Sequence, residues 1–198
     1  MDWDEKFISV KALWYLPLRI AAFILRRAQA LPLYRSLGRK FATCVAIAEA
    51  SAVDMEKVYR HFNMTEPNFA QPPDPNVTNW VAKRGQKVVG FVELVRHLPE
   101  HHPWIGRWLF SLEVWKCYRG FGIGERLTQL VIDKTIMEGA PELLLAVFKD
   151  NARAISLYRK LGFEQVTLPA LEPHLEAEKQ QFGRRRIVMR KIIAKQPV

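Results

Sequence analysis

Three glycines at alternate positions, Gly120, Gly122 and Gly124, follow an apolar run and precede a helical pattern in YRGFGIGERL, residues 118–127. Glycine adopts positive φ and lets the main chain approach a ligand closely. Amides at the start of a helix also bind anions, because they lack intrahelical partners and lie at the positive end of the helix dipole. The segment therefore predicts a site in which backbone amides hold a phosphate group.

The spacing excludes two common phosphate-binding motifs. The dinucleotide motif GxGxxG requires a third glycine where Glu125 stands. A P-loop requires Gly-Lys-Ser or Gly-Lys-Thr, whereas Gly124 is followed by Glu125 and Arg126. The strands before the glycines also read as antiparallel, and dinucleotide folds are built on parallel sheets.

The elements around the glycines follow the order β α β β β α β α β β. This order predicts an α/β fold of the mixed α+β kind, with a predominantly antiparallel mixed sheet of six to seven strands and helices on both faces. A strand from about Phe41 begins this domain, 41–198, and an N-terminal helical extension, 1–40, precedes it. Local sequence signals predict the boundaries of these elements. Ser51 and Asp54 form a capping pair at the start of a helix, and Arg84 and Gly85 form the turn of a hairpin. One helix ends at Gly139, and another begins at Asn151 and ends at Gly162.

Two segments carry a family resemblance. LEVWKCYRGFGIGERL resembles the acetyl-CoA-binding motif of the GNAT superfamily of N-acetyltransferases, in which an LxV strand leads to RxxGxG and a helix. NARAISLYRKLGF is similar to the family's later NxxAxxLYxKxGF segment. The resemblance spans residues 41–193 and departs at Lys116, where relatives often have proline. It implies a GNAT-like fold and transfer of an acetyl group from acetyl-CoA, or another acyl-CoA, to a primary amine by direct attack, without a metal.

The resemblance also implies roles for residues of the two motifs. Asn151 would hydrogen-bond the cofactor, and Tyr158 would donate a proton to the departing thiolate. Because Asn151, Ile155 and Tyr158 differ by four and three residues, they share a helix face and are expected to point into one cleft. The residues expected to bind the cofactor are Leu112, Val114, Arg119, Gly120, Phe121, Gly122, Ile123, Gly124, Asn151 and Tyr158.

The family has no universal position for a general base, so the base must be argued from the residues. Glu113 and Glu93 each lie among apolar residues in a predicted strand. A carboxylate there is costly unless it faces a cleft or a partner, so both are catalytic candidates. Glu113 is preferred because it adjoins the glycine motif. A solvated or ion-paired strand acid is the alternative for each.

Charge and cysteine usage limit the partners. The formal net charge of +10 favours an anionic partner such as a phosphorylated cofactor, nucleic acid or an acidic membrane. GRRR, residues 183–186, leads into a strand of charged and apolar residues and lacks interleaved aromatics, so no nucleic acid is expected as a partner.

Cys44 and Cys117 match no CxxC or metal-ligand pattern, which predicts a reducing cytoplasm and no metal site. His101 and His102 are expected in a loop rather than in a metal pair.

The first 40 residues leave several alternatives open. The apolar run ALWYLPLRIAAFIL, residues 12–25, is shorter than the about 20 residues that cross a bilayer. Acidic residues before it disfavour a secretory signal. A helix from Pro17 is expected to pack on its own domain, to pair two copies as a homodimer or to contact a membrane peripherally. The alternative function is therefore a non-catalytic acyl-CoA-binding adaptor that acts through this helix.

The sequence is compatible with either a small-molecule amine or a protein amine as the acyl acceptor. Two segments are expected to shape its pocket, the proline-rich loop at 66–79 and the long connection at 168–183. One hypothesis is that Glu172, Glu176 and Glu178 in this connection bind a cationic amine. The alternative is that these glutamates form the solvent-exposed face of a short helix.

Overall fold

The computed structural model describes residues 44–62 and 74–193, so the predicted N-terminal helix and part of the proline-rich loop lie outside the described residues. Within these ranges no helix is long and apolar enough to cross a membrane. The elements in chain order are β1 (Ala46–Glu49), α1 (Ala52–Phe62), β2 (Val77–Arg84), β3 (Lys87–His97), β4 (Gly106–Val114), α2 (Ile123–Met137), β5 (Glu142–Phe148), α3 (Ala152–Lys160), β6 (Glu164–Val166), α4 (Glu172–Phe182) and β7 (Arg186–Ile192).

The seven strands form one sheet in the order β1-β2-β3-β4-β5-β7-β6. Every neighbouring pair is antiparallel except β4 and β5, which are parallel. The predicted mixed, mostly antiparallel sheet with helices on both faces is therefore confirmed. The predicted element order is wrong at one place, because the connection between β6 and β7 contains α4. This helix forms because Leu171 and Leu175 are buried against the sheet residues Trp108, Leu144 and Val188.

The helix boundaries follow local hydrogen bonds that the sequence predicts. The Asp54 carboxylate accepts hydrogen bonds from the Ser51 hydroxyl at 2.7 Å and the Ser51 amide at 3.1 Å, at the start of α1. Lys83 of β2 lies 2.6 Å from the same carboxylate. Burial alone would raise the pKa of Asp54, but the hydrogen bonds from Lys83 and Ser51 hold it below its usual value. The cap therefore also joins α1 to the sheet.

The helices divide between the two faces of the sheet. The helices α2 and α3 pack on one face, in a core cluster that includes Leu127, Val131 and Ile155. On the opposite face, α1 covers one apolar cluster through Met55 and Val58, and α4 covers a second, separate cluster. The middle of that opposite face therefore lies between two apolar clusters.

A β-bulge in β4 shapes the centre of the sheet. Phe91 of β3 pairs with Glu113, but Glu93 pairs with Phe110, so β4 carries one extra residue at this point. Ser111 has φ of 51°, a left-handed conformation that is uncommon for a residue other than glycine. Bulges bend a strand and increase its twist. The parallel contact with β5 contains only two residue pairs, Trp108 with Leu144 and Leu109 with Leu145, so β4 separates from β5 beyond them.

Candidate active site

A cleft of about 430 Å³ lies beside the end of β4, between the first turns of α2 and the exposed side of α3. Its size is within the range of small-molecule sites. Its walls come from both predicted motifs. The lining residues are Leu112, Glu113, Val114, Tyr118, Arg119, Gly120, Gly122, Ile123, Gly124, Glu125, Asn151, Arg153, Ala154, Ser156, Leu157 and Lys160.

The start of α2 supplies the backbone donors of this cleft. Gly122 is the N-cap and has φ of 81°, a conformation that glycine adopts without steric cost. The first helical hydrogen bond runs from the Arg126 amide to the Gly122 carbonyl at 3.0 Å. The amides of Ile123, Gly124 and Glu125 consequently have no intrahelical acceptor. They are the donors of the anion-binding turn that the glycine spacing predicts, and their binding of an anion stays a prediction.

Gly124 keeps the cleft open between the strand and α3. A Cβ atom at this position would lie 3.6 Å from Leu157 and 3.7 Å from Val114, which is ordinary van der Waals contact. Alanine therefore fits, but a branched side chain at Gly124 would fill the space between the two walls.

Charged side chains around the cleft are mostly paired. Arg119 donates to the carbonyl of Val114 at 2.6 Å and forms an ion pair with Glu113. Lys160 lies 2.7 Å from Glu125. Arg153 lines the cleft and has no ion-pair partner in the described part of the chain. A ligand with several negative charges would therefore meet free backbone amides and one uncommitted guanidinium.

The three residues predicted to share one face of α3, Asn151, Ile155 and Tyr158, have different surroundings in the structure. Asn151 lines the cleft and caps α3, with its Oδ1 accepting from the Ala154 amide at 3.2 Å. Ile155 and Tyr158 instead belong to the core, where Tyr158 is 6% exposed and packs against Phe163. Tyr158 is therefore not one of the residues that line the cleft, and its predicted role beside Asn151 stays a prediction. The lining face consists of Arg153, Ser156, Leu157 and Lys160, whose helical spacing the sequence contained but sequence reasoning missed.

Tyr158 nevertheless lies close to the cleft wall. Burial raises the pKa of Tyr158 above its usual value, and the nearby charge of Glu113 raises it further. The phenol therefore keeps its proton at neutral pH and is available as a donor.

The two candidate bases have different surroundings. The ion pair with Arg119 holds Glu113 at the cleft. Glu93 lies on the opposite face of the sheet, since its strand neighbours Val92 and Leu94 point to the α2 face. Burial raises the pKa of Glu93, although a hydrogen bond from Ser111 of the bulge partly offsets this effect. Of the predicted site residues, Glu93, Phe121 and Tyr158 are not among those lining the cleft.

A protein-family model matches the part of the chain that contains both motifs. The model of the acetyltransferase (GNAT) family matches residues 45–163, more than half of the chain. The chain belongs to the GNAT acetyltransferase family. Its relatives include proteins named as N-acetyltransferases.

Individual relatives match parts of this GNAT domain. N-alpha-acetyltransferase 30 of Schizosaccharomyces pombe is 31% identical over 106 residues, which cover 54% of this chain and 64% of the relative. The [ribosomal protein bS18]-alanine N-acetyltransferase of Escherichia coli is 29% identical over 118 residues, covering 60% of this chain and 76% of the relative. The matched segment spans only 25% to 64% of the length of three curated relatives.

A solved structure supports the fold. The putative streptothricin acetyltransferase of Bacillus anthracis, in complex with acetyl coenzyme A, superposes with a TM-score of 0.56 at 16% identity, covering 76% of this chain and 98% of that chain. The residues of the present cleft fit such a polyanionic co-substrate, because the amides at the start of α2 lack intrahelical acceptors.

Other charged motifs are engaged elsewhere in the domain. Arg185 pairs with Glu172 and Glu176, and Arg186 pairs with Glu178. These pairs neutralise the α4 glutamates, which argues against the hypothesis that they meet a cationic amine. Arg184 pairs with Asp150 at 2.7 Å, so each arginine of GRRR has an acidic partner. Among the described residues, no group of three or more His, Cys, Asp or Glu is placed to hold a metal. His101 is the last residue of a short 3₁₀ helix in the connection between β3 and β4.

Replacing Gly124 with valine tests whether this cleft binds the co-substrate. The branched side chain meets Leu157 and Val114, so we expect the affinity for acetyl-CoA to fall about tenfold or more, which corresponds to ~1.4 kcal/mol. Isothermal titration calorimetry measures the loss. Gln129→Val, which places the same side chain on the exposed side of α2, is the control and should bind like the wild type. Equal dissociation constants for Gly124→Val and wild type would place the binding site elsewhere.

Proposed function

We propose that this GNAT enzyme transfers an acetyl group from acetyl-CoA to a primary amine by direct attack within a ternary complex. The observation that carries the proposal is the anion-binding turn at the start of α2, which lies beside the point where β4 separates from β5. The turn is suited to a diphosphate, and the separation gives the thioester end of the molecule a route into the sheet. Holding both reactants in this geometry supplies much of the rate enhancement.

The main chain of β4 is suited to polarising the thioester. Backbone donors of a central strand normally pair with both neighbours, and an unpaired donor is costly in a buried position. Because β5 diverges after Leu109 and Leu145, the part of β4 near Val114 has no pairing with β5. We assign a backbone amide near Val114 to the thioester carbonyl oxygen, where it stabilises the negative charge that develops during attack.

Glu93 is the better of the two candidate bases. Glu113 already serves Arg119 as an ion-pair partner, whereas Glu93 lies beside the bulge with its pKa raised by burial. A carboxylate with a raised pKa accepts a proton more readily than an ordinary glutamate does. The base and the proposed acid, Tyr158, would then act from opposite faces of the sheet.

The proposed step is a direct transfer of the acetyl group from sulfur to nitrogen. The lone pair of the neutral amine forms the C–N bond, and the C–S bond breaks. The proton lost by the amine nitrogen passes to the Glu93 carboxylate, while the Tyr158 hydroxyl protonates the departing CoA thiolate. The products are the N-acetylated amine and free CoA, and exchange with water restores both side chains.

The acceptor class is inferred from chemistry and from the relatives. The name of one relative specifies N-alpha acetylation, and that of another specifies an alanine of ribosomal protein bS18. Both acceptors are primary amines, and we extend that class, protein or small molecule, to this chain. The cytoplasmic location stays a prediction from Cys44 and Cys117, which form no disulfide bond with each other.

Glu93→Gln tests the base. We expect kcat to fall about a hundredfold or more, since general bases contribute on this order. Wild-type activity should rise with pH through a midpoint above 4.5, the usual glutamate pKa, because only the deprotonated carboxylate accepts the proton. CoA release with a panel of primary amines measures both effects.

Glu113→Gln is the matched comparison for Glu93→Gln. It removes a carboxylate at the cleft but should keep the wild-type pH profile. If Glu113→Gln abolishes the pH dependence and Glu93→Gln retains it, Glu113 is the base. Acetyl-CoA binding without CoA release for any amine would instead favour the non-catalytic adaptor.

Tyr158→Phe tests the proposed acid. The hydroxyl makes no hydrogen bond within the described ranges, so its loss should leave the melting temperature close to that of the wild type. We expect kcat to fall about a hundredfold with little change in the KM for acetyl-CoA. A variant with wild-type kcat would show that Tyr158 is only a core aromatic.

A further inference from the structure

Asn79 of β2 has a buried polar atom that the fold does not use. Its Oδ1 atom is inaccessible to solvent and has no hydrogen-bond partner in the part of the chain that the structure describes. A buried carbonyl without a partner costs free energy, so native proteins rarely keep one without a reason. The main-chain carbonyl of Asn79, by contrast, accepts from the Ala50 amide at 2.8 Å. The unused hydrogen-bonding capacity therefore belongs to the side chain.

The sheet register places this side chain next to Glu93. Asn79 and Glu93 are directly opposite each other in the antiparallel pair of β2 and β3. Such partners project to the same face, with Cβ atoms about 4.5–5.5 Å apart. That face is the one covered by α1 and α4, because Val81 and Phe91, two residues along each strand, belong to the α1 cluster.

Apolar residues flank this pair, and Tyr59 of α1 lies near Glu93. Glu93 also pairs in register with Phe110, which packs against the α4 cluster. The pair thus lies between the two apolar clusters of that face, with Ser111 and its strained backbone on the Glu93 side. Strained residues and unpaired polar groups tend to occur together at functional sites.

We propose that Asn79 and Glu93 together bind the nitrogen of the acceptor and restrict it to a primary amine. The inference rests on the proposed function and adds a residue to it. A rotation of the Asn79 side-chain amide, which belongs to a partly exposed residue, first brings Oδ1 out of its solvent-inaccessible position. One N–H of the neutral amine then donates to Asn79 Oδ1, and the other donates to Glu93, which later takes that proton. The lone pair is then left to face the thioester.

This arrangement selects by the number of N–H groups. A neutral primary amine has two and satisfies both acceptors. A neutral secondary amine has one, so it leaves either Asn79 Oδ1 or Glu93 unpaired. Sites built to hydrogen-bond a group discriminate strongly against analogues that lack it.

The test compares butylamine and alaninamide with their N-methyl derivatives as acceptors for the full chain. In the wild type, we expect kcat/KM to favour each primary amine by about tenfold or more. Asn79→Leu, which has a similar volume and no carbonyl, should raise the KM for the primary amine about tenfold and reduce this preference. The KM for acetyl-CoA should not change. Gln165→Leu removes a side-chain amide from the exposed edge strand β6 and should match the wild type throughout.

A stability measurement separates this role from a structural one. Asn79→Leu removes a desolvated carbonyl that has no partner, so its melting temperature should equal or exceed that of the wild type. A lower melting temperature would overturn the inference, because it would make Asn79 a structural residue. An unchanged acceptor KM in Asn79→Leu, or an unchanged preference for the primary amine, would also overturn it.

Failure of the proposed function has a different signature. A wild type that binds acetyl-CoA but acetylates none of the amines contradicts catalysis itself. In that case, the thermal shift caused by butylamine decides whether Asn79 binds amines. A shift in the wild type that is lost in Asn79→Leu supports the amine site, and equal shifts, or none, overturn it.

Discussion

The parallel contact between β4 and β5 ends after two residue pairs, and the whole proposed site depends on that ending. The extra residue at Ser111 bends β4 while it stays paired with β3. The strand beyond the bulge has no pairing with β5, in the middle of the sheet. In the proposed mechanism, a ligand held at the start of α2 reaches the opposite face of the sheet at this point.

In the proposed mechanism, one face of the sheet binds the anionic co-substrate and the other binds the amine. The face that carries α2 and α3 presents unpaired amides and Arg153, which suit an anion. The face between α1 and α4 presents Glu93 and Asn79, which suit an amine. The net charge of +10 is consistent with binding of the anion, but charge alone does not locate the site. Several arginines, those of GRRR among them, pair with acidic residues away from the cleft.

Features that depend on local sequence were predictable. The turn at Gly122, the Asn151 cap and the Ser51 and Asp54 capping pair are each set by residues within a few positions of one another, and the structure contains all of them. The seven strands follow from their apolar patterning and turn residues. The two motifs were sufficient to recognise the family, because their spacing is rigidly tied to a strand, a turn and a helix.

Features that depend on register or on distant contacts were not predictable. The bulge at Ser111 has no sequence signature, since serine rarely adopts positive φ. The juxtaposition of Asn79 with Glu93 requires the pairing of β2 with β3. The formation of α4 depends on the packing of Leu171 and Leu175 against the sheet. The orientation of Tyr158 depends on which side of α3 packs against the core.

A titration of the ¹⁵N-labelled full chain with acetyl-CoA, followed by amide NMR spectra, tests the central claim most directly. Hydrogen bonds from the main chain to the diphosphate should give the largest amide shifts at Gly120, Gly122, Ile123, Gly124 and Glu125. Smaller shifts should follow along the end of β4. Binding that leaves these amides unperturbed, or a titration with no shifts at all, would contradict the account.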